Sequence, residues 1–173
     1  MNIQPKKIIF LDRDGVINHD FGYVYQKKDF VFTDNIFNLC HYLQALNFEF
    51  IVVTNQSGIS RGFYSEKDFF KLNRWMVDFF NSKGINILDV FHCPHQDKEE
   101  CMCRKPKNGL FVSAFKKYDI DKEKSWMVGD KISDIEAANS SGIFNTVLFN
   151  KKQTSLKAKF SINKLKELHN IIK

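Results

Sequence analysis

Asp12 and Asp14 stand one residue apart in Asp12-Arg13-Asp14-Gly15, directly after the apolar run Ile8-Ile9-Phe10-Leu11. Two carboxylates delivered together at a strand end can collect a divalent cation and work on a phosphate. The same tetrapeptide also reads as a plain turn, since Asp and Gly are turn formers. Three further segments favour chemistry. Thr54 ends the stretch Phe50-Ile51-Val52-Val53 and leads into Asn55-Gln56-Ser57-Gly58, so a hydroxyl and backbone N–H groups fall where a phosphate oxygen can be held. Lys105, in Arg104-Lys105-Pro106, is a cation that the following proline biases away from helix. Trp126-Met127-Val128-Gly129 brings Asp130, Lys131 and Asp134 to the end of another strand. Taken singly, Asp134 could merely cap a helix, and Lys131 could be a surface ion pair of little worth.

A second chemistry lies in Cys93-Pro94-His95 and Cys101-Met102-Cys103, which gather three of the four cysteines and one histidine in a loop at about 93–103. Thiolates plus imidazole favour zinc, four-coordinate, closed and therefore structural. The alternatives are a disulfide, disfavoured in a reducing compartment, and unrelated thiols that happen to be close. The spacer from Gln96 to Glu100 is wholly polar, so coordination would stand in for a core there and fix Arg104 and Lys105 just beyond it. Arg13, Arg61 and Arg104 all fall inside motif segments of a chain that otherwise takes its charge from lysine, which hints at a need for the bidentate fork. Cys40 reads as a buried bystander and His92 as a strand residue with a satisfied ring.

These groups need strands to deliver them and helices to cover the sheet. Strand patterns fall at 8–11, 50–53, 88–92, 126–128 and 146–149, with helical spacing between most of them. Ser65 with Asp68 has the form of a capped helix start, and Phe69, Leu72, Trp75, Met76, Phe79 and Phe80 then follow at core spacing. Gly142 is placed to end the helix begun near Ile132. Alternation of strand and helix implies an α/β fold, a single doubly wound parallel sheet. The gaps from Asp14 to Thr54 and from Thr54 to Lys105 are too short for a separate cap domain, so the site is expected to be open, with specificity carried by loops.

The 173 residues fit one domain, 1–173, that can bury a core without staples; 43% of them are hydrophobic and 18 are phenylalanine. No signal peptide and no run of the roughly 20 apolar residues of a membrane span is evident, so a cytoplasmic chain with no membrane partner is expected. The net charge of +6 collects in a lysine-rich tail at about 150–173, past every motif. There Lys151, Lys152, Lys157, Lys159, Lys164, Lys166 and Lys173 interleave with Leu156, Phe160, Ile162, Leu165, Leu168 and Ile172, the pattern of packed elements with a solvated side. An anionic small molecule therefore suits the charge better than nucleic acid, for which no aromatic and basic groove is evident. A monomer is expected.

In chain order, the acid pair, the hydroxyl, the lysine and the second acid group resemble the haloacid dehalogenase superfamily of phosphohydrolases. The segments FLDRDGVIN (Phe10 to Asn18), GYV (Gly22 to Val24), TNQSGISRG (Thr54 to Gly62), CPH (Cys93 to His95), CMCRKP (Cys101 to Pro106) and GDKISD (Gly129 to Asp134) resemble its histidinol-phosphatase-like subfamily, and there the heptose bisphosphate phosphatases. The likeness runs from about Lys7 to Ile143. The short spacer between His95 and Cys101 is similar to the histidinol-phosphatase form, whereas TNQSGISRG and GYV resemble the heptose side.

The resemblance implies a capless Rossmann-like domain and a Mg2+-dependent phosphatase that removes the 7-phosphate of a heptose 1,7-bisphosphate, in the making of activated heptose for surface polysaccharide. It also implies roles. Asp12 would attack phosphorus to give an aspartyl-phosphate, and Asp14 would move the protons. Mg2+ would sit on the side chains of Asp12 and Asp130 and the carbonyl of Asp14, with Asp134 behind them. Thr54, Asn55 and Lys105 would hold the phosphoryl oxygens, Lys131 would orient a carboxylate, and Arg104 would grip the remote phosphate. Cys93, His95, Cys101 and Cys103 would hold Zn2+. A histidinol-phosphate phosphatase is the alternative enzyme, and a catalytically silent zinc module the alternative outside enzymes.

Overall fold

A strand apolar on both faces belongs inside a parallel sheet. Ile8, Ile9, Phe10 and Leu11 of β1 (Lys7–Leu11) are all fully buried in the computed structural model, which describes residues 4–149 and 155–173. The sheet is completed by β2 (Phe48–Asn55), β3 (Ile87–Cys93), β4 (Trp126–Gly129), β5 (Asn145–Phe149) and β6 (Phe160–Ile162). All pairings are parallel, in the order β3-β2-β1-β4-β5-β6.

Side chains along a strand alternate between faces, and each face has its own helices. Ile9, Leu11, Phe50 and Val52 pack with α1 (Ile36–Ala45) and α2 (Glu66–Ser82). Ile8, Phe10, Ile51, Val53 and Met127 pack with α3 (Gly109–Lys117) and α4 (Ile132–Ser141). This is the doubly wound sheet that the sequence implies. Ser65 and Asp68 form the expected capping box, and α2 buries Phe69, Leu72, Met76 and Phe80, so its aromatic stripe is core. Gly142 closes α4 at φ 91°. His92 rests in β3 with Nε2 3.0 Å from Glu66 Oε1, and Cys40 is buried in α1.

Two features of the tail differ from the sequence reading. β6 extends the sheet, and three residues are too few to show a strand period. Leu156, expected to pack, is fully exposed, because it lies in a turn ahead of β6 and off both layers. Leu165, Leu168 and Ile172 do bury themselves in the α1 layer, and the Tyr42 hydroxyl of α1 donates to Ile172 O at 2.6 Å. Lys151 and Lys152 lie outside the described residues. Among the described residues no helix is long and apolar enough to cross a membrane.

Between β1 and α1 the chain forms only a loop with a 3-10 turn at Lys27–Asp29, and between β3 and α3 only a loop with a 3-10 turn at Asp97–Glu99. Neither adds a layer over the carboxyl ends of the strands.

Candidate active site

The chain leaves β1 toward β2 on one side and returns to β4 on the other, so the loops diverge between β1 and β4 and open a crevice there. Asp12 follows β1 and is tied to β4 by its N–H, which donates to Val128 O at 3.1 Å. Asp130 follows β4. Carboxylate oxygens of Asp12, Asp130 and Asp134 lie within 4.8 Å of one another. Glycine permits this crowding: a Cβ on Gly15, at φ 95°, would fall 2.3 Å from Asp130 Oδ2, and one on Gly129 would fall 2.3 Å from Asp134 Cβ.

Lys105 reaches this cluster from the β3–α3 loop. Its Nζ donates to Asp12 Oδ1 at 2.9 Å, Asp134 Oδ1 at 2.7 Å and Val53 O at 2.7 Å, which uses all three ammonium hydrogens. Burial opposes the ammonium charge, but Asp12 and Asp134 outweigh it and the Lys105 pKa is raised. Burial likewise raises Asp12, with Lys105 drawing it back and Asp134 pushing it further. Asp130 is pushed up to about 8, first by burial and next by the charge of Asp12. Lys105 pairs with two of the three carboxylates, and the cluster presents oxygen alone, the donor set of a hard cation such as Mg2+.

Asp14 lines the same crevice. Arg13, fully buried, donates to it from Nη2 at 2.9 Å, and Asn18 Nδ2 donates at 3.0 Å. Gln56 Nε2 adds a third donor at 2.8 Å and bonds Thr54 Oγ1 at 2.8 Å as well. Arg13 thus uses its fork on a carboxylate, as its residue type suggests, while Arg61 is exposed. Gln56 joins the site through these bonds, and the sequence reading passed over it. The available signal was its spacing: two positions after Thr54 in a run of extended chain, it faces the same side.

The intervening Asn55 also lines the crevice. Its amide is spent on the main chain of Lys105, Nδ2 donating to Lys105 O and Oδ1 accepting from Lys105 N, each at 3.0 Å. The sequence reading set Asn55 against the phosphate; in the structure its side-chain amide is bonded to the lysine loop at the edge of the cleft. Asp134 both pairs with Lys105 and accepts from Lys131 N at 3.0 Å, so it also caps α4. Lys131 Nζ stands 3.1 Å from Asp20 in the loop after β1. Burial opposes the Lys131 charge, but Asp130, Asp20 and Asp12 together raise its pKa. Burial opposes ionisation of Asp20 in turn, and Lys131 and the Gly22 N–H carry its pKa below the usual range.

The cysteine loop closes on a single point. Cys93 Sγ lies 3.5 Å from Cys101 Sγ and 2.9 Å from Cys103 Sγ, Cys101 and Cys103 are 3.6 Å apart, and His95 Nδ1 is 3.2 Å from Cys103 Sγ. Thiolates on one zinc at about 2.3 Å stand about 3.8 Å from one another, so the four groups are gathered as a tetrahedral site needs. All four cysteines are free in this structure. Arg104 hangs from this loop: its Nε pairs with Asp97 and its Nη1 donates to His95 O at 3.3 Å. Arg104, Lys107, Tyr23 and Tyr64 line an open cleft of about 630 Å³ that runs from the acid cluster to the cysteine loop.

A parallel doubly wound sheet that carries an Asp pair, a buried lysine and a second acid group at its switch point defines a hydrolase of the haloacid dehalogenase type. The HAD-hydrolase-like family model matches residues 102–160. The chain is 44% identical over 96% of its length to the D-glycero-alpha-D-manno-heptose-1,7-bisphosphate 7-phosphatase of Campylobacter jejuni, of which it covers 96%. It is 45% identical over 83% of its length to the D-glycero-beta-D-manno-heptose-1,7-bisphosphate 7-phosphatase of Vibrio cholerae, of which it covers 81%. The chain belongs to the family of D-glycero-D-manno-heptose-1,7-bisphosphate 7-phosphatases. The fold is also that of a D,D-heptose 1,7-bisphosphate phosphatase from B. bronchiseptica, solved with magnesium and phosphate. There the TM-score is 0.85 at 24% identity, over 95% of this chain and 97% of that one.

Proposed function

We propose that this chain is a Mg2+-dependent phosphatase that removes the 7-phosphate of D-glycero-D-manno-heptose 1,7-bisphosphate, working as a single capless domain with a structural zinc. One observation carries the reading: Lys105 bridges Asp12 and Asp134 beside Asp130, at the point where the sheet's strand order reverses. Phosphate monoesters resist hydrolysis because a nucleophile must approach an anion, so the site must supply both the nucleophile and neutralising charge.

Asp12 is the nucleophile. Lys105 holds its Oδ1, which leaves the other oxygen to form the bond to phosphorus while the bond from phosphorus to the sugar oxygen breaks. Asp14 gives the departing oxygen a proton, then takes one from the water that attacks the aspartyl-phosphate and frees Asp12. Held by Asp12, Asp130 and the carbonyl of Asp14, Mg2+ would neutralise the phosphoryl oxygens against the surrounding carboxylates. The Thr54 hydroxyl and Lys105 meet the transferred group, and Asn55 keeps Lys105 in place. At the far end of the cleft, Arg104 suits a second phosphate, which a fork grips in two places.

The test is phosphate release with Mg2+ from the heptose 1,7-bisphosphate of each anomer, the matching monophosphate, and histidinol phosphate. Preference for a bisphosphate supports the reading. Preference for histidinol phosphate overturns the substrate and leaves the phosphohydrolase chemistry standing, and no release from any ester leaves only the silent zinc module.

A further inference from the structure

Of the contacts that the Asp14 carboxylate makes among the described residues, those from Arg13 and Asn18 come from its own loop and move with it. The contact from Gln56 comes from a different part of the fold, the chain just beyond β2. Gln56 is 2% exposed, and its amide cannot turn round. Its Oε1 accepts from the Tyr64 hydroxyl at 2.6 Å and from Arg13 Nη2 at 3.2 Å. A guanidinium only donates, so that end must be the oxygen, and the NH2 must face Asp14 and Thr54. Tyr64 is itself locked: its ring stacks on Tyr25 at 5.2 Å, and Gly58 lies so close that a Cβ there would fall 2.2 Å from the ring.

We propose that Gln56, held by Tyr64, is a positioning residue for proton transfer: it sets the Asp14 carboxyl where it hands its proton to the leaving sugar oxygen. The inference rests on the phosphatase reading above. In the step it serves, the electrons of the broken bond between phosphorus and oxygen go to the sugar oxygen, the Asp14 proton joins them, and Asp14 is left as a carboxylate. A sugar alkoxide needs that proton as it departs, whereas a stabilised nitrophenolate leaves without one.

The leaving-group dependence of kcat/KM therefore tests the idea, and a merely structural role would not move it. Gln56→Met and Tyr64→Phe are to be compared with the wild type on the heptose bisphosphate and on p-nitrophenyl phosphate at saturating Mg2+. Gln56→Met is expected to lose about 30-fold or more on the sugar ester and less than about 3-fold on the aryl ester. Tyr64→Phe keeps its ring packing and is expected to lose roughly 3- to 10-fold, again on the sugar ester alone. Equal losses on both esters overturn the proposal, as does no loss on either. Should Gln56→Met fail to fold, Tyr64→Phe decides. If the wild type spares the heptose bisphosphate, only the substrate reading falls, because any alkyl phosphate that it does hydrolyse serves the comparison. If the wild type hydrolyses no ester, the phosphatase reading falls and takes this inference with it.

Discussion

The side-chain amide of Asn55 and the main chain of Lys105 exchange two hydrogen bonds, each of 3.0 Å, across fifty residues of sequence. Lys105 lies in the loop that the cysteine cluster shapes, and its ammonium has to land between Asp12 and Asp134. Asn55 ends β2, next to β1 in the sheet, so the clamp refers the loop to the strand register.

Removing the clamp should therefore damage catalysis more than stability. Asn55→Ala is expected to cost about 1 to 2 kcal/mol of stability, the net worth of two partly exposed hydrogen bonds, and to lower kcat/KM by about 10- to 100-fold. Asn55→Asp keeps the acceptor for Lys105 N but turns a second acceptor toward Lys105 O, so it should be no better than alanine. Thermal melts beside steady-state kinetics check both. A loss of stability with kinetics intact would separate Asn55 from the site.

Asp12→Asn should be inactive, below about a thousandth of wild-type turnover, because an amide cannot attack phosphorus. The fold should survive. Burial already raises the pKa of Asp12, and the amide oxygen still accepts from Lys105, which keeps Asp134 and Val53 O as partners. The melting temperature is expected to match the wild type or exceed it. Turnover above a tenth of wild type would exclude the covalent route.

How far the sequence led depended on reach. Asp12, Thr54 and Asp130 were legible because each ends a buried apolar strand, and a parallel sheet sends all its strand ends to one edge. The gathering of the cysteine loop was legible because Cys93, His95, Cys101 and Cys103 have few other reasons to stand together. Gln56 and Tyr64 were not. Their roles depend on long side chains that meet across loops, and no period in the sequence records such a meeting. Asn55 was assigned to the crevice that it lines, but its amide bonds to the main chain of Lys105 were not legible, since they join residues fifty apart in sequence. β6 was missed for want of length.

His92 provides a pH test away from the chemistry. Its ring packs on Phe69 with centroids 4.2 Å apart, and burial lowers its pKa below 6.5, with Glu66 pulling the other way. As pH falls, the unfolded chain takes up this proton before the folded one does. The stability tied to His92 is thus whole above pH 6.5 and lost as pH drops toward the lower folded value. His92→Gln, which does not titrate, is expected to show a smaller fall in melting temperature between about pH 7.5 and 5.5 than the wild type. Superimposable pH curves would rule this out.

Zinc and Arg104 should control the same quantity by different routes. The Arg104 guanidinium is aimed by Asp97 and by the carbonyl of His95, both on the loop that the cysteine cluster closes. With few apolar side chains in that loop, a metal held by the cysteine cluster would be what keeps it folded. Purified, reduced protein is expected to carry about one zinc per chain that survives mild removal of Mg2+. Arg104→Ala should reduce the preference for bisphosphate over monophosphate by about 10- to 100-fold, in line with a charge-assisted contact of about 1.5 to 3 kcal/mol. Slow hydrolysis of the monophosphate should persist, since Asp12, Asp14 and Lys105 are untouched. Cys93→Ser, which removes one ligand and no group that meets the substrate, should lower the melting temperature and erode the same preference. Metal analysis and paired kinetics on the two substrates check these outcomes together. If Cys93→Ser leaves the preference whole while zinc is gone, the metal does not aim Arg104.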